Sequence, residues 1–571
     1  MGIRSILKKI VSVSAAMAVA VSMAGCTVNI NEDGKAVNLS PVEKNGDIIV
    51  IFTSDIHCGV DKGFTLAGLK KIRDSYEAQG YTTILVDDGD SVQGEAMGTL
   101  TKGEAIIDLL NDMKYDVAIP GNHDFDYGME QFLKLTDMAD FPYISCNFNK
   151  EGDLVFEPYK IIEAAGKKIG FVGVTTPESI MESTPTYFCD ETGKQIYQFK
   201  SGGNGQELYD AIQDAVDAAR AEGADYVYLM GHLGLDDICH PWTYADVIEN
   251  TTGIDVLLDG HSHDTQQLVA KNKDGQDVPR SAVGTKLNCI GYSHISADEG
   301  IVETNILSWP NEVPADKVFD IYNDISDKVS EKYEELDETL SEVVAHSSVD
   351  LIVNDPDKKD KSGNPLRIIR MQETNMGDFC ADAFLAFTDA DVAIMNGGGI
   401  RADIDKGDIT YGDIINVYPF GNEMSVVEVT GQQILDALEW GARGLPDEAG
   451  AFLQVAGMSY TIDTSVESTC IKDDNAMFAG VGGDRRVKDV MVGDSPIDPE
   501  GKYKLASIKY ILNSHGDGYT MFDGAEVLQK GSMLDSQLLI DFITETLGGS
   551  VGEEYADPHG QGRIKILEGT E

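Results

Sequence analysis

A chain of 571 residues exceeds one ordinary domain and predicts two domains plus connectors. Its 42 % hydrophobic and 25 % charged residues are a globular balance that excludes wholesale disorder. With 44 Lys+Arg against 97 Asp+Glu the net charge is −53, which argues against a nucleic-acid polymer as partner. A small anionic substrate would need local cations to overcome that field.

At the N-terminus Arg4, Lys8 and Lys9 precede the apolar run Ile10 to Met23, then Ala24-Gly25-Cys26. The run is short for a membrane span and reads as a secretory signal over residues 1–25. The small residues before Cys26 resemble the lipobox of bacterial lipoproteins. That resemblance implies cleavage, lipidation of Cys26 and tethering at the extracellular face of the bacterial membrane. Residues 26–46 are polar and aperiodic, as suits a flexible tether. The lipid anchor is the expected membrane contact, and no obligate protein partner is evident. The cysteines at 58, 146, 189, 239, 289, 380 and 470 form no CxxC pair, and their odd number leaves at least one thiol unpaired.

Residues 47–310 alternate strands and helices, which predicts a layered α/β domain. Apolar runs end at Asp55, Asp87, Gly121, Thr175, Gly231 and Gly260, each read as a strand buried on both faces. Between them, Leu208, Ala211, Ile212, Ala215, Val216 and Ala219 form one helical stripe. Val318, Ile321, Ile325, Val329, Leu336, Leu340 and Val343 predict a long amphipathic helix over 316–344, a linker within 311–345. Residues 346–567 read as a second mixed α/β domain.

The chemistry-bearing residues follow the first domain's strands. Asp55 and His57, two apart, share a side of an extended segment. Gly89-Asp90, Gly121-Asn122-His123-Asp124-Phe125-Asp126, Gly231-His232 and Gly260-His261-Ser262-His263 follow later strands. Of the 10 His in the chain, 57, 123, 232, 261 and 263 fall in these loops, which should gather at one rim.

These motifs, in this order, resemble the calcineurin-like dinuclear metallophosphoesterases, and more narrowly the 5′-nucleotidase/UDP-sugar hydrolase family. The resemblance implies a β-sandwich flanked by helices, with two divalent metal ions. Asp55, His57 and His263 would hold one metal, Asn122, His232 and His261 the other, and Asp90 would bridge them. Mn, Zn, Co or Fe suits this mixed nitrogen and oxygen set. Two-metal sites clamp phosphoryl oxygens and activate water. By the same resemblance His123 pairs with Asp126 and assists the leaving oxygen, the carboxylate favouring a cationic imidazole.

In the second domain, Arg370 precedes Thr374-Asn375-Met376-Gly377. Then come Asn396-Gly-Gly-Gly-Ile-Arg401, Pro419-Phe420-Gly421-Asn422 and Asn513-Ser-His-Gly-Asp517-Gly-Tyr519. These blocks resemble the family's nucleotide half-site. Arg370 and Arg401 would meet phosphate or ribose oxygens, Asn396 and Phe420 the base, and Asp517 the ribose hydroxyls. Two positions depart from the family: Ile511 stands where a second stacking aromatic is usual, flanked by Tyr510, and His515 replaces a glycine.

The expectation is an extracellular metal-dependent phosphohydrolase converting 5′-nucleotides to nucleosides and phosphate, with activity on UDP-sugars as an extension. A 2′,3′-cyclic-nucleotide phosphodiesterase or sulfur-ester hydrolase on the same fold is the alternative. A non-enzymatic nutrient-binding lipoprotein would have no use for the full ligand set plus His123.

Overall fold

The computed structural model describes residues 45–235, 239–308, 322–355, 357–359, 365–473 and 475–567; the signal segment, Cys26 and most of the tether lie outside them. The first domain is built on β1 (Ile48–Thr53), β2 (Thr82–Asp87), β3 (Val117–Ala118), β4 (Tyr159–Ala164), β5 (Lys167–Thr175) and β6 (Tyr226–His232). It continues through β7 (Val256–Asp259), β8 (Thr265–Lys271), β9 (Asp277–Val283), β10 (Cys289–Ser296) and β11 (Gly300–Ser308). They form two sheets, β11-β10-β1-β2-β3 and β8-β9-β7-β6-β5-β4.

Both faces of the central strands are buried, as their unbroken apolar runs require. Ile48, Val50 and Phe52 point between the sheets and meet a core containing Phe171, Tyr228, Met230, Val256 and Leu258. Ile49 and Ile51 point the other way, into the core beneath helices α1 (Thr65–Ala78) and α2 (Glu104–Met113). On the outer face of the second sheet, α3 (Gln206–Ala221) buries the stripe its sequence predicts. The result is a sandwich of sheets covered by helices on both sides. Truncating Phe52 at its centre would leave a cavity costing about 3–5 kcal/mol.

The linker differs from its predicted extent. Helix α4 runs only Asp324–Leu340, because extended Asn323 caps it by accepting from the backbone N–H groups of Ile325 and Ser326. Val318 and Ile321 lie outside the described residues. Val343 belongs instead to strand β12 (Val343–Ser347), which pairs with Gly407–Thr410 of the second domain. Helix α4 packs against α1 and α2 of the first domain and against Tyr411–Val417 of the second. Lys332 Nζ lies 2.8 Å from Asp108, and Asn323 Nδ2 donates to Ala67 O at 2.8 Å, so its polar face is also fastened to the first domain.

The second domain centres on strands β13 (Val392–Asn396), β14 (Glu423–Thr430), β15 (Leu453–Ala456), β16 (Lys502–Ile508) and β17 (Glu526–Leu534), ordered β15-β13-β16-β14-β17. Helix α5 (Asn375–Ala386) packs on this sheet with Met376, Phe379, Cys380 and Phe384 buried. The final strand, Ile564–Leu567, runs parallel to Met458–Asp463.

Candidate active site in the interdomain cleft

Within each sheet the site-bearing strands run parallel, with Thr53 opposite Asp87, Asp87 opposite Ala118, Thr175 opposite His232, and Gly231 opposite Asp259. Their following loops therefore converge. Backbone bonds stitch the loops together: Asp55 N donates to Gly89 O and His57 N to Asp90 O, both at 2.9 Å. Asp124 accepts from Asp90 N at 3.1 Å and Gly121 N at 2.8 Å, clamping two loops that share no sequence neighbourhood. Asp55, His57, Asp90, His261 and His263 all have positive φ, between 45° and 83°. Such strain costs on the order of 1–3 kcal/mol per residue and persists where surrounding bonds enforce it. Gly121 is needed for closeness: a Cβ there would sit 2.2 Å from Asp90 Oδ1.

All seven predicted metal ligands come together. His57 Nε2 lies 3.0 Å from His263 Nε2, and His263 Nε2 lies 3.5 Å from Asp55 Oδ1. His232 Nε2 is 3.1 Å from both Asn122 Oδ1 and Asp90 Oδ2, while His261 Nδ1 is 2.9 Å from Asn122 Oδ1. Asp90 also stands 3.8 Å from His57 Nε2, placing it between the two groups. His57 Nδ1 donates to Gln93 O at 3.0 Å, and His232 Nδ1 donates to Asp88 O at 2.8 Å. Those carbonyls hold the tautomer that aims each Nε2 lone pair inward, as a metal-binding histidine needs. His232 occupies the last position of β6 instead of a following loop, because β6 pairs with β5 as far as Thr175.

The donor set fits divalent cations. Asp55 and Asp90 are 0 % and 1 % exposed. Burial pushes Asp55 up to about 7. Burial pushes Asp90 up as well, but His232, His123 and His57 outweigh it and hold that carboxyl well below its usual range. Buried carboxylates need such compensation, and imidazole with carboxylate and amide oxygen is a divalent-metal set.

His123 stands apart from the ligand groups, with Nδ1 2.6 Å from Asp126 Oδ2 and its backbone N–H donating to Asp90 Oδ1 at 2.7 Å. Burial reverses one expectation. It pushes the imidazole down to about 3 and the Asp126 carboxyl well above its usual range, so the dry pair resists the ionic form that a carboxylate neighbour alone would favour.

The cleft has a volume of about 1100 Å³ and is lined by both domains, including Asp90, Asn122, His123, Arg370, Asn396, Arg401, Phe420 and Asp517. The predicted residues of the second domain thus face the predicted metal ligands. Asn396 Nδ2 donates to Asp517 Oδ2 at 2.7 Å, and Trp440 Nε1 donates to Asp517 O at 2.7 Å. Arg401 stands 5.8 Å over the Phe420 ring. Arg367, Arg443 and Lys472 also line the cleft, so cations concentrate in this strongly acidic chain where an anion would enter. Arg443 has no motif around it; only its stacking at 3.7 Å on Trp440 reveals its place.

The structure places the two departures from the family and displaces the 374–377 block from the half-site. Ile511 is 0 % exposed and packs in the domain core, whereas its neighbour Tyr510 lines the cleft, so an aromatic side chain and not Ile511 is presented there. Tyr510 Oη lies 3.0 Å from Asp517 Oδ1 and 3.2 Å from the Met181 and Glu182 carbonyls, linking the domains. His515 lies outside the cleft lining and pairs with Asp523 at 2.5 Å; its φ of 61° explains why a glycine suits that position. Thr374-Asn375-Met376-Gly377 is a helix start: Thr374 Oγ1 accepts from Gly377 N at 3.0 Å, and Asn375 Nδ2 donates to Asp350 O and Tyr555 O. That block positions α5 and the neighbouring loops; it does not line the cleft.

Residues 48–265 match the calcineurin-like phosphoesterase family, and residues 343–524 match the 5′-nucleotidase C-terminal domain. The chain is 27 % identical over 567 residues to the trifunctional nucleotide phosphoesterase protein YfkN of Bacillus subtilis, covering 91 % of this chain and 35 % of that one. It thus spans about a third of that relative's length. It is 26 % identical to a 5′-nucleotidase of Vibrio cholerae, covering 94 % of this chain and 96 % of that one. Among solved structures it is similar to a 5′-nucleotidase precursor from Thermus thermophilus, with a TM-score of 0.73, 25 % identity, and coverage of 91 % and 99 %.

Proposed function

We propose that the chain, which belongs to the calcineurin-like metallophosphoesterases and carries a 5′-nucleotidase C-terminal domain, hydrolyses 5′-nucleotides to nucleosides and phosphate. The observation that carries this reading is a single cleft where metal-ligand loops of one domain face Arg370, Asn396, Arg401, Phe420 and Asp517 of the other. Asp55, His57 and His263 would hold one divalent ion and Asn122, His232 and His261 a second, with Asp90 between. When bound, such ions polarise phosphoryl oxygens and acidify water at neutral pH.

The remaining steps belong to the chain. Arg401 and Arg370 neutralise the entering phosphate, and their planar guanidinium groups can hold its oxygens in pairs. Phe420 gives the base a stacking surface, and Asp517 accepts from the ribose hydroxyls. Asp126, its carboxyl kept protonated by burial, donates to His123 Nδ1 and so leaves the ring hydrogen on Nε2, which would pass it to the departing ribose oxygen. UDP-sugars, with a second phosphate to place, would draw on Arg367 and Arg443.

The lipobox-like Ala24-Gly25-Cys26 supports a further part of the proposal, an enzyme held outside the cell on a lipid anchor at Cys26. Phosphate release from 5′-AMP, UMP and UDP-glucose by metal-stripped and reconstituted protein tests the activity. Failure to cleave any of them with Mn, Co or Zn supplied would overturn it. Cys26→Ser should release the protein from membranes into the medium, and unchanged membrane retention would remove the anchor.

A further inference from the structure

The cleft wall carries two donors that the proposed hydrolysis leaves unused, beside one that it uses. Glu178 and Cys239 are each 1 % exposed, and with His261 they bring a carboxylate oxygen, a thiol sulfur and an imidazole nitrogen within 4.8 Å of one another. Neither oxygen of the Glu178 carboxylate has a partner at ordinary hydrogen-bond distance among the described residues; the nearby His261 ring and Cys239 thiol are the groups that favour its charged form. A buried carboxylate without a partner is costly, and the compensation it calls for is a cation or a donor.

The His261 ring faces two neighbourhoods. Nδ1 stands 2.9 Å from Asn122 Oδ1, inside the predicted catalytic set. Nε2 stands 3.9 Å from Glu178 Oε2, too far for a hydrogen bond.

We propose that Glu178, Cys239 and His261 form a third cation site, selective for a soft divalent ion such as zinc, whose occupation slows turnover. Sulfur, imidazole and one carboxylate oxygen are zinc ligands, and water can complete the tetrahedron. Cys239 binds as the thiolate, its proton passing to solvent. Lys472 lines the same wall and is the positive charge that competes with the ion for Glu178.

Inhibition follows from the chemistry of one ring. A neutral imidazole has a single lone-pair nitrogen, the other carrying hydrogen. His261 therefore cannot ligate through Nε2 and Nδ1 together without losing its last N–H. An ion held at Nε2 takes the ring from the Asn122 side. The catalytic centre then lacks one of its ligands while the third site is filled.

All three donors belong to the first domain, so this inference does not depend on which phosphoester the cleft takes. The test is a cobalt(II) titration of the metal-stripped full chain, followed by thiolate-to-cobalt charge-transfer absorption. None of the seven predicted catalytic ligands is a cysteine, so the band reports the third site. The band should appear in the unaltered protein and vanish in Cys239→Ser, the other cysteines remaining. Glu178→Gln keeps the thiol and should weaken the band-forming affinity by at least about tenfold. Zinc in excess of the catalytic ions should slow hydrolysis of an aryl phosphate by the unaltered protein and have less effect on Cys239→Ser. A band that persists in Cys239→Ser, or no band at all in the unaltered protein, overturns the site. Should Cys239→Ser fail to fold, undiminished cobalt affinity in Glu178→Gln would overturn it equally.

Discussion

The Phe420 ring of the second domain lies 5.8 Å from the His123 imidazole of the first, centroid to centroid, inclined by 34°. Phe420 therefore borders the predicted acid of the first domain as well as the second-domain half of the cleft. Its backbone neighbours fix it there: Thr99 Oγ1 of the first domain donates to Pro419 O at 2.7 Å, and Ala96 N donates to Asn416 Oδ1 at 3.1 Å.

Phe420→Ala should consequently harm hydrolysis of every substrate somewhat, and of nucleotides most. Stacking of a base on an aromatic ring is worth about 1–3 kcal/mol, so kcat/KM for 5′-AMP should fall about tenfold further than for an aryl phosphate. Equal losses on the two substrates would remove the base-stacking role.

His123→Ala should lower kcat by about 100-fold or more, the range of general acid catalysis, while bound metal stays at the level of the unaltered protein. Asp126→Asn should act in the same direction but less severely, since the amide can still orient Nδ1. Metal analysis beside steady-state kinetics separates these outcomes from loss of a ligand. One ion lost in His123→Ala would make His123 a ligand instead.

Gly121→Ala tests the clamp around Asp90. The added methyl would meet Asp90 Oδ1 at 2.2 Å and Asp90 N at 2.5 Å, both held by other bonds. Metal content should drop, and activity should not return with excess metal. Full metal occupancy with full activity would show that the loops yield easily.

Asp535, fully buried in the second domain, supplies a pH dependence away from the metals. Its carboxylate accepts from Asn422 N and Ser536 N, yet burial pushes its pKa up to about 7. An unfolded Asp titrates at about 3.9, so the folded chain holds this proton more tightly. The stability it contributes is complete below about pH 4 and is lost as pH rises through about 7. Thermal unfolding of Asp535→Asn should accordingly decline less between pH 5 and 8 than that of the unaltered protein. Parallel profiles would show the carboxyl already ionised in that range.

Much of the first domain is legible one strand at a time. An apolar run ending in Asp-x-His or Gly-Asn-His needs no distant information, because the run marks a buried strand and the polar motif marks the loop at its end. Asp55 with His57, and His261 with His263, lie past the ends of their strands at positive φ, so the extended segment expected for Asp55 and His57 is not what turns them together: the tight loops do, and the parallel ladders bring the loops to one edge. The linker shows where local reading stops. Apolar spacing continues through Val343, but Asn323 caps the helix late and Val343 pairs with another strand, which spacing cannot register.

The sequence by itself determined which strand ends carry the predicted catalytic groups, since each motif is contiguous and its chemistry lies in the residue types. Only the tertiary structure decided that Tyr510 and not Ile511 faces the cleft, because neighbouring residues on a helix point about 100° apart and packing sets the helix's rotation. It alone decided which carbonyls fix the His57 and His232 tautomers, and that Glu178, Cys239 and His261 meet. These side chains are far apart in the sequence, and their meeting is set by how the sheets stack and by which loops the strands deliver to the same edge.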